Sequence, residues 1–243
     1  MKYISRISVF ILLLTAILYF NSCKVDPEIT DDSHDYGWVY DPTPYIAFSV
    51  TGLPPFPYLP NNPLTVEGVE LGRKLFYDPI LSADSSLACA GCHSIGHAFS
   101  DTVQFSIGID GLPGKRNAMP IFNLGYSPFD NGFFWDGRAV TLEDQALKPI
   151  QDPLEMHEIL PNVLMKLSRS DFYPKIFYEA FGQLEITNES VGNAIAQFTK
   201  SIVSGNSKYD KATVQDTFLT DDEVRGAELF QELDGGDCFH CHV

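Results

Sequence analysis

Two short stretches of this 243-residue chain hold the side chains best suited to chemistry, Cys89-Ala90-Gly91-Cys92-His93 and Cys238-Phe239-His240-Cys241-His242. Each sets two cysteines three apart, with a histidine directly after the second. On a helical turn, positions i, i+3 and i+4 share one face. Both thiols can then bond covalently to the vinyl groups of one haem while the imidazole reaches its iron, which is the spacing of a c-type haem attachment site. The pattern predicts two covalently bound c-type haems, with His93 and His242 as iron ligands. A zinc site, a thioredoxin-like pair and disulfides are the alternatives for the two cysteine pairs. Zinc usually wants its pairs closer together, a redox pair wants a βαβ setting, and neither accounts for the histidine after both pairs. His240, between the second pair of cysteines, reads as motif filler.

The fifth cysteine belongs to the other end of the chain. Lys2 and Arg6 give a positive start and Ile7 to Phe20 is mostly apolar, too short to span a bilayer comfortably, so residues 1–22 read as a signal peptide. Phe20-Asn21-Ser22-Cys23 resembles a lipoprotein cleavage box, which makes Cys23 the lipidated first residue of an exported, periplasmic protein anchored to a bacterial membrane. An ordinary signal peptide is the alternative. With Cys23 on lipid and four cysteines on haem, none of the five is left over. The 16 basic and 32 acidic residues, a formal charge of −16, argue against a nucleic-acid partner.

The elements that must position these residues read as helices, with poor strand signals, so the class is mainly α: two cytochrome c-like haem domains. Residues 23–63 are rich in Pro and Asp and read as a tether and extended segment, with Phe48, Phe56 and Tyr58 as anchors. Thr65 caps a helix reaching about Phe76. Thr141-Leu142-Glu143-Asp144 is a capping box whose helix must stop by Pro149. Pro161 starts another, a segment opened by Ser170 stops at Gly182, and a longer helix runs from Thr187 to a close at Gly205. Thr220-Asp221-Asp222-Glu223 opens the last. Gly72-Arg73-Lys74-Leu75-Phe76 and Gly226-Ala227-Glu228-Leu229-Phe230 repeat one pattern, 12 and 7 residues before the cysteine motifs. The glycine would allow a close helix crossing and the phenylalanine would face the haem; ordinary helix packing explains the repeat equally well. The division is 64–186 for the first haem domain and 187–243 for the second. Because the chain stops one residue after His242, the second domain is expected to be incomplete, lacking the sixth ligand of its haem.

From about Leu64 onwards the chain resembles the bacterial di-haem cytochrome c peroxidases and the related MauG group. The likeness is carried by Leu71-Gly72-Arg73-Lys74-Leu75-Phe76-Tyr77-Asp78 with Leu81-Ser82, the first cysteine motif, Ala98-Phe99-Ser100-Asp101 and Arg116-Asn117-Ala118 with Asn123. It continues in Phe134-Trp135-Asp136-Gly137-Arg138-Ala139, Leu142-Glu143-Asp144-Gln145-Ala146, Pro149-Ile150 and Glu155-Met156. The resemblance implies that the haem on Cys89, Cys92 and His93 is the peroxidatic one, with Glu155 as distal carboxylate and Gln145 as distal amide. The haem on Cys238, Cys241 and His242 is the electron inlet. The resemblance also makes Trp135 a relay between the haems and Asn117 a calcium ligand. The partners so implied are hydrogen peroxide, a small electron donor such as a cytochrome c, and a second copy in a homodimer. Asp136 and Arg138 are expected to pair with each other or with a haem propionate.

One departure bears on mechanism. Some peroxidases carry a distal histidine shortly before the Asn-Ala motif, whereas Ser106-Ile107-Gly108-Ile109-Asp110-Gly111 holds none, so the His93 haem is expected to lack a sixth protein ligand. His97 and His157 are rival ligands. Peroxide reduction is the first reading and MauG-like oxidation of a protein or organic substrate the second. A non-catalytic c-type electron carrier and a zinc-stabilised export module are the readings from other classes.

Overall fold

The computed structural model describes residues 36–50, 53–57, 59–126 and 132–240. Contacts divide the chain into Met1–Trp38 and Val39–Val243. In the described part of the first, the Tyr36 and Trp38 rings stack at 4.4 Å.

The second unit is mainly α, as its periodicity predicts, with isolated bridges and no strands among the described residues. Helix α1 spans Val66–Tyr77, with the Thr65 hydroxyl accepting from the Gly68 N–H. Helix α2 is the single turn Cys89–Cys92, and α3 spans Leu142–Gln151. Helices α4 (Leu160–Ser168) and α5 (Tyr173–Phe181) follow, α5 ending on Gly182 in the left-handed conformation. Helix α6 is Asn188–Ser201, opened by a reciprocal box between Thr187 and Ser190. Helices α7 (Lys208–Thr213) and α8 (Asp221–Gln231) complete the order, α8 opening on the Thr220–Glu223 box.

The core forms where α1, α3, α5 and α6 meet. Gly72 is what lets α1 lie on α6, because a Cβ there would stand 1.9 Å from the Ala194 carbonyl oxygen. Around the crossing Leu71, Leu75, Val191 and Ala194 are almost wholly buried. A polar knot ties the same helices together. Lys200 Nζ donates to Glu143 Oε1 at 2.5 Å and Asn62 Nδ2 donates to the same oxygen at 2.8 Å. Gln197 Nε2 donates to Asn62 Oδ1, while Gln197 Oε1 accepts from the Thr65 N–H. Burial pushes the Glu143 carboxyl up, but the hydrogen bonds from Lys200 and Asn62 outweigh it and hold it below the usual carboxylate range.

Several expectations need correction. Helix α3 does not stop at Pro149 but runs through it to Gln151. A proline removes only its own N–H and crowds the carbonyl four residues back; here the helix needs only two more residues, and fully buried Ile150 anchors them. At the other end Thr141 caps the Asp144 N–H, but Asp144 turns to Lys148 at 3.0 Å rather than closing the box. Gly205 does not close α6, which ends at Ser201; Gly205 instead lies against Val50, which a Cβ would meet at 1.9 Å. In the extended segment Phe56 packs edge-on to Tyr126 while Phe48 is exposed, and Tyr58 lies outside the described residues. Helix α6, just after residue 186, shares its buried face with α1 and α3.

Candidate haem site

The approach to the first cysteine motif is fixed before Cys89 is reached. Ser82 is fully buried, donates its hydroxyl to the Pro79 carbonyl, and accepts from the N–H groups of Ser86 and Leu87, each at 3.1 Å. Lys166 Nζ donates to the Ser82 carbonyl at 2.6 Å and pairs with Glu158 at 2.7 Å. Tyr173 donates to Asp78 Oδ2 at 2.7 Å, so the loop after α1 is held from α4 and α5 together. Helix α2 then sets Cys89 and Cys92 one turn apart, and the His93 N–H closes on the Cys89 carbonyl at 3.0 Å.

His93 has its tautomer chosen for it. Its Nδ1 lies 2.9 Å from the Phe99 carbonyl oxygen. A carbonyl can only accept, so Nδ1 carries the proton and Nε2 keeps its lone pair, the arrangement a metal-ligating histidine needs. The carbonyl is delivered by two successive left-handed residues, Ala98 and Phe99, with φ of 55° and 56°. Phe76 backs the imidazole with ring centroids 6.4 Å apart. Burial lowers the His93 imidazole and pushes the Cys89 thiol up to about 12, and it raises Cys92 as well. Neutral thiols beside a neutral imidazole suit thioether attachment and iron ligation, so these residues fit a c-type haem.

Glu155 lies near both cysteines, since its charge adds to the upward push on both thiols. Its own carboxyl is raised by burial and by the negative charge of Asp152, against a smaller opposing pull from Arg138. The segment that carries it is a knot at the end of α3. Asp152 Oδ1 accepts from the Leu154 N–H at 2.8 Å, and the Asp152 carbonyl accepts from Glu155 and His157, each at 3.0 Å. The N–H groups of Met156 and Glu158 return to the carbonyls of Pro149 and Ile150. From the other side the Ile109 N–H donates to the Glu155 carbonyl at 3.0 Å. Gly108 is needed beside it, because a Cβ there would sit 2.2 Å from the Leu154 carbonyl oxygen. Gln145 lies partly buried on α3, and its side chain makes no hydrogen bond among the described residues.

Trp135 stands on a tight hairpin in which Phe133 and Ala139 pair and the Gly137 N–H closes on the Phe134 carbonyl at 3.1 Å. The indole is 58% exposed, and its Nε1 donates to the Asn117 carbonyl at 2.9 Å. Asp136 pairs with Arg138 at 2.9 Å and with Arg116 at 2.7 Å, and the two guanidiniums hold its carboxyl at about 2. Arg138 also lies over the Phe134 ring, 3.5 Å from its centroid. Asn117 Nδ2 donates to the Val103 carbonyl at 3.3 Å, and the calcium role implied for it rests on the sequence resemblance alone.

The rival histidines are otherwise placed. His97 is exposed, and His157 pairs with Asp110 at 2.6 Å. Cys238 opens a short turn in which His240 pairs with Asp237, so His240 has a partner of its own. Cys23, Cys241 and His242 lie outside the described residues. Two features escaped the sequence reading: the Asp110–His157 pair, which joins residues 47 apart and leaves no local signal, and the role of Gly108. A glycine flanked by Ile107 and Ile109 was the visible hint of a close backbone approach.

A family model for di-haem cytochrome c peroxidase matches residues 66–217. The chain is 32% identical over 183 residues to the methylamine utilization protein MauG of Methylophilus methylotrophus, covering 75% of this chain and 54% of that protein. It is 36% identical over 185 residues to the cytochrome c551 peroxidase of Nitrosomonas europaea, covering 74% and 53%. A crystal structure of a MauG-like protein associated with microbial copper homeostasis superposes with a TM-score of 0.70 at 33% identity, over 78% of this chain and 55% of that one. The chain thus spans about half the length of these relatives.

Proposed function

The chain belongs to the di-haem cytochrome c peroxidase family, and on that premise we propose that it reduces hydrogen peroxide to water at a c-type haem held by Cys89, Cys92 and His93. Cys238, Cys241 and His242 carry the second haem, which takes electrons from a small cytochrome or similar donor, with Trp135 as the relay. When bound, the haem supplies the iron that takes the peroxide and the electrons that leave with it. Peroxide needs two electrons and two protons to become two waters. The protein's part is to hold the His93 imidazole in one tautomer, to set phenylalanine side chains around it and to move a proton.

The observation that carries this reading is the carboxylate of Glu155 near Cys89 and Cys92, on a segment tied down by the Asp152 and Ile109 hydrogen bonds and with its pKa raised by burial. A group of this kind takes a proton from the inner peroxide oxygen and returns it to the outer one, which becomes the leaving water. Gln145 on α3 is read as the amide that orients the peroxide. Glu155→Gln should reduce peroxide turnover by roughly 100-fold or more, the range for a positioned acid–base group, with haem content unchanged. A retained rate refutes the role.

The absence of histidine between Ser106 and Gly111 supports an open sixth position, which also favours MauG-like oxidation of a protein or organic substrate as the second reading. An electron paramagnetic resonance spectrum of the oxidised two-haem protein with only low-spin iron would count against that open site. The charged and apolar pattern of residues 1–23 supports export, with Cys23 as the lipid anchor in a periplasmic location.

A further inference from the structure

We propose that the Asp110–His157 hydrogen-bonded pair is a positioning clamp that fixes the main chain carrying the Glu155 carboxylate; the proposal rests on the acid–base role given to Glu155 above. The Glu155 side chain makes no hydrogen bond among the described residues, so what the surroundings hold in place is its main chain. That main chain is gripped from two sides. On one side is the knot built on Asp152 at the end of α3. On the other is the loop 106–114, which the Ile109 N–H joins to the Glu155 carbonyl and which packs through Gly108 against Leu154.

The second grip is only as firm as the loop that makes it. The loop is closed on itself by the Gly108 N–H on the Leu112 carbonyl, the Gly111 N–H on the Gly108 carbonyl and the Gly114 N–H on the Ser106 carbonyl. Its tip is otherwise at the surface, with Ile107 and Leu112 half exposed. The side-chain tie from this tip to the Glu155 segment is the 2.6 Å contact between Asp110 Oδ2 and His157 Nδ1. His157 reaches it from a left-handed backbone with φ of 48°, an uncommon conformation for a non-glycine residue. The base of the same loop meets the haem attachment turn, since Ser106 donates to Asp101 at 2.6 Å and lies beside the Cys92 thiol. The loop therefore bridges the attachment point and the segment of the proton carrier, and the Asp110–His157 contact locks its far end. An exposed pair of this kind adds little to global stability, whereas a displacement of about 1 Å at a reacting group can slow a reaction 100-fold.

The test compares two reactions of the haem-loaded protein. One is the single-turnover reaction of the oxidised protein with hydrogen peroxide, which needs Glu155. The other is carbon monoxide binding to the reduced protein, which moves no proton. Asp110→Ala should slow the peroxide reaction by roughly tenfold, leaving carbon monoxide binding and the unfolding temperature unchanged. In a Glu155→Gln background the same substitution should have no further effect, the non-additivity expected of residues acting through one group. If Asp110→Ala does not fold, His157→Ala takes its place. His157→Asn keeps a donor near the Nδ1 position, tolerates the left-handed backbone, and should restore most of the rate. The clamp is refuted if Asp110→Ala leaves the peroxide rate intact, slows both reactions alike, or has its full effect without Glu155. A Glu155→Gln protein that reacts at the parent rate overturns the functional reading instead, and with it anything for the clamp to position.

Discussion

The two glycines of the repeated Gly-x-x-Leu-Phe pattern should respond in opposite directions to the same substitution. At Gly72 an alanine Cβ would lie 1.9 Å from the Ala194 carbonyl oxygen and 2.8 Å from Phe198 Cβ. Neither is the free end of a flexible side chain, so the helices must part by about 1.5 Å to bring 1.9 Å up to the 3.4 Å at which ordinary contact begins. Overpacking of this kind costs about 3 kcal/mol at its upper range, and the better helix propensity of alanine returns about 1 kcal/mol. A net loss of about 2 kcal/mol in a chain of this size lowers the unfolding temperature by roughly 4–8 °C. At Gly226 an added Cβ meets nothing within 4 Å, so Gly226→Ala should leave stability equal or up to about 1 kcal/mol higher. Thermal unfolding of the haem-loaded protein followed by circular dichroism separates the two. The Gly72 variant should also disturb the haem absorption spectrum, because Phe76 joins the crossing at Phe198 (5.2 Å) to the imidazole of His93 (6.4 Å). If Gly72→Ala is as stable as the parent, or the two variants shift together, the close crossing is not what the first glycine provides.

Two further predictions concern charge. Glu155 must be ionised to accept the peroxide proton, so the acid limb of the peroxide reaction should lie above the usual carboxylate range; Asp152→Asn keeps the cap on the Leu154 N–H, removes a nearby negative charge and should move that limb to lower pH in rate–pH profiles. Glu143, held below its usual range, contributes stability that is present above its unfolded pKa and lost as pH falls through its folded one. Lys200→Met strands that buried carboxylate and should cost about 3 kcal/mol at neutral pH. The deficit should shrink in acid, and urea titrations at several pH values that show a pH-independent deficit would contradict the pairing.

The sequence speaks clearly where a structure depends on neighbours in the chain. Thr65, Thr187 and Thr220 cap helices because a hydroxyl reaches an N–H two or three residues on, and Gly182 ends one because it takes φ of 69° without penalty. The one-turn spacing of Cys89, Cys92 and His93 is of the same local kind. Misreadings fall where distant residues decide. Pro149 is a local argument for a helix end, overruled by the burial of Ile150 against the core. The apolar stripe of α6 was visible, but a stripe says that a face is buried and not against what; only the crossing at Gly72 places it with the first cysteine motif. The sequence likewise nominated Glu155 but could not say that a loop far earlier in the chain, between Ser106 and Gly114, holds its main chain.

Around the first cysteine motif, Phe76, Phe99 and Phe198 form a cluster, the loop carrying Glu155 comes near both thiols, and Lys166 of α4 holds the approach to Cys89. A proton carrier, a fixed tautomer and apolar walls in one place are what peroxide cleavage asks of a protein. On the reading proposed above, Trp135, more than half exposed and hydrogen-bonded to the main chain of Asn117, is the relay that would bring electrons to this site.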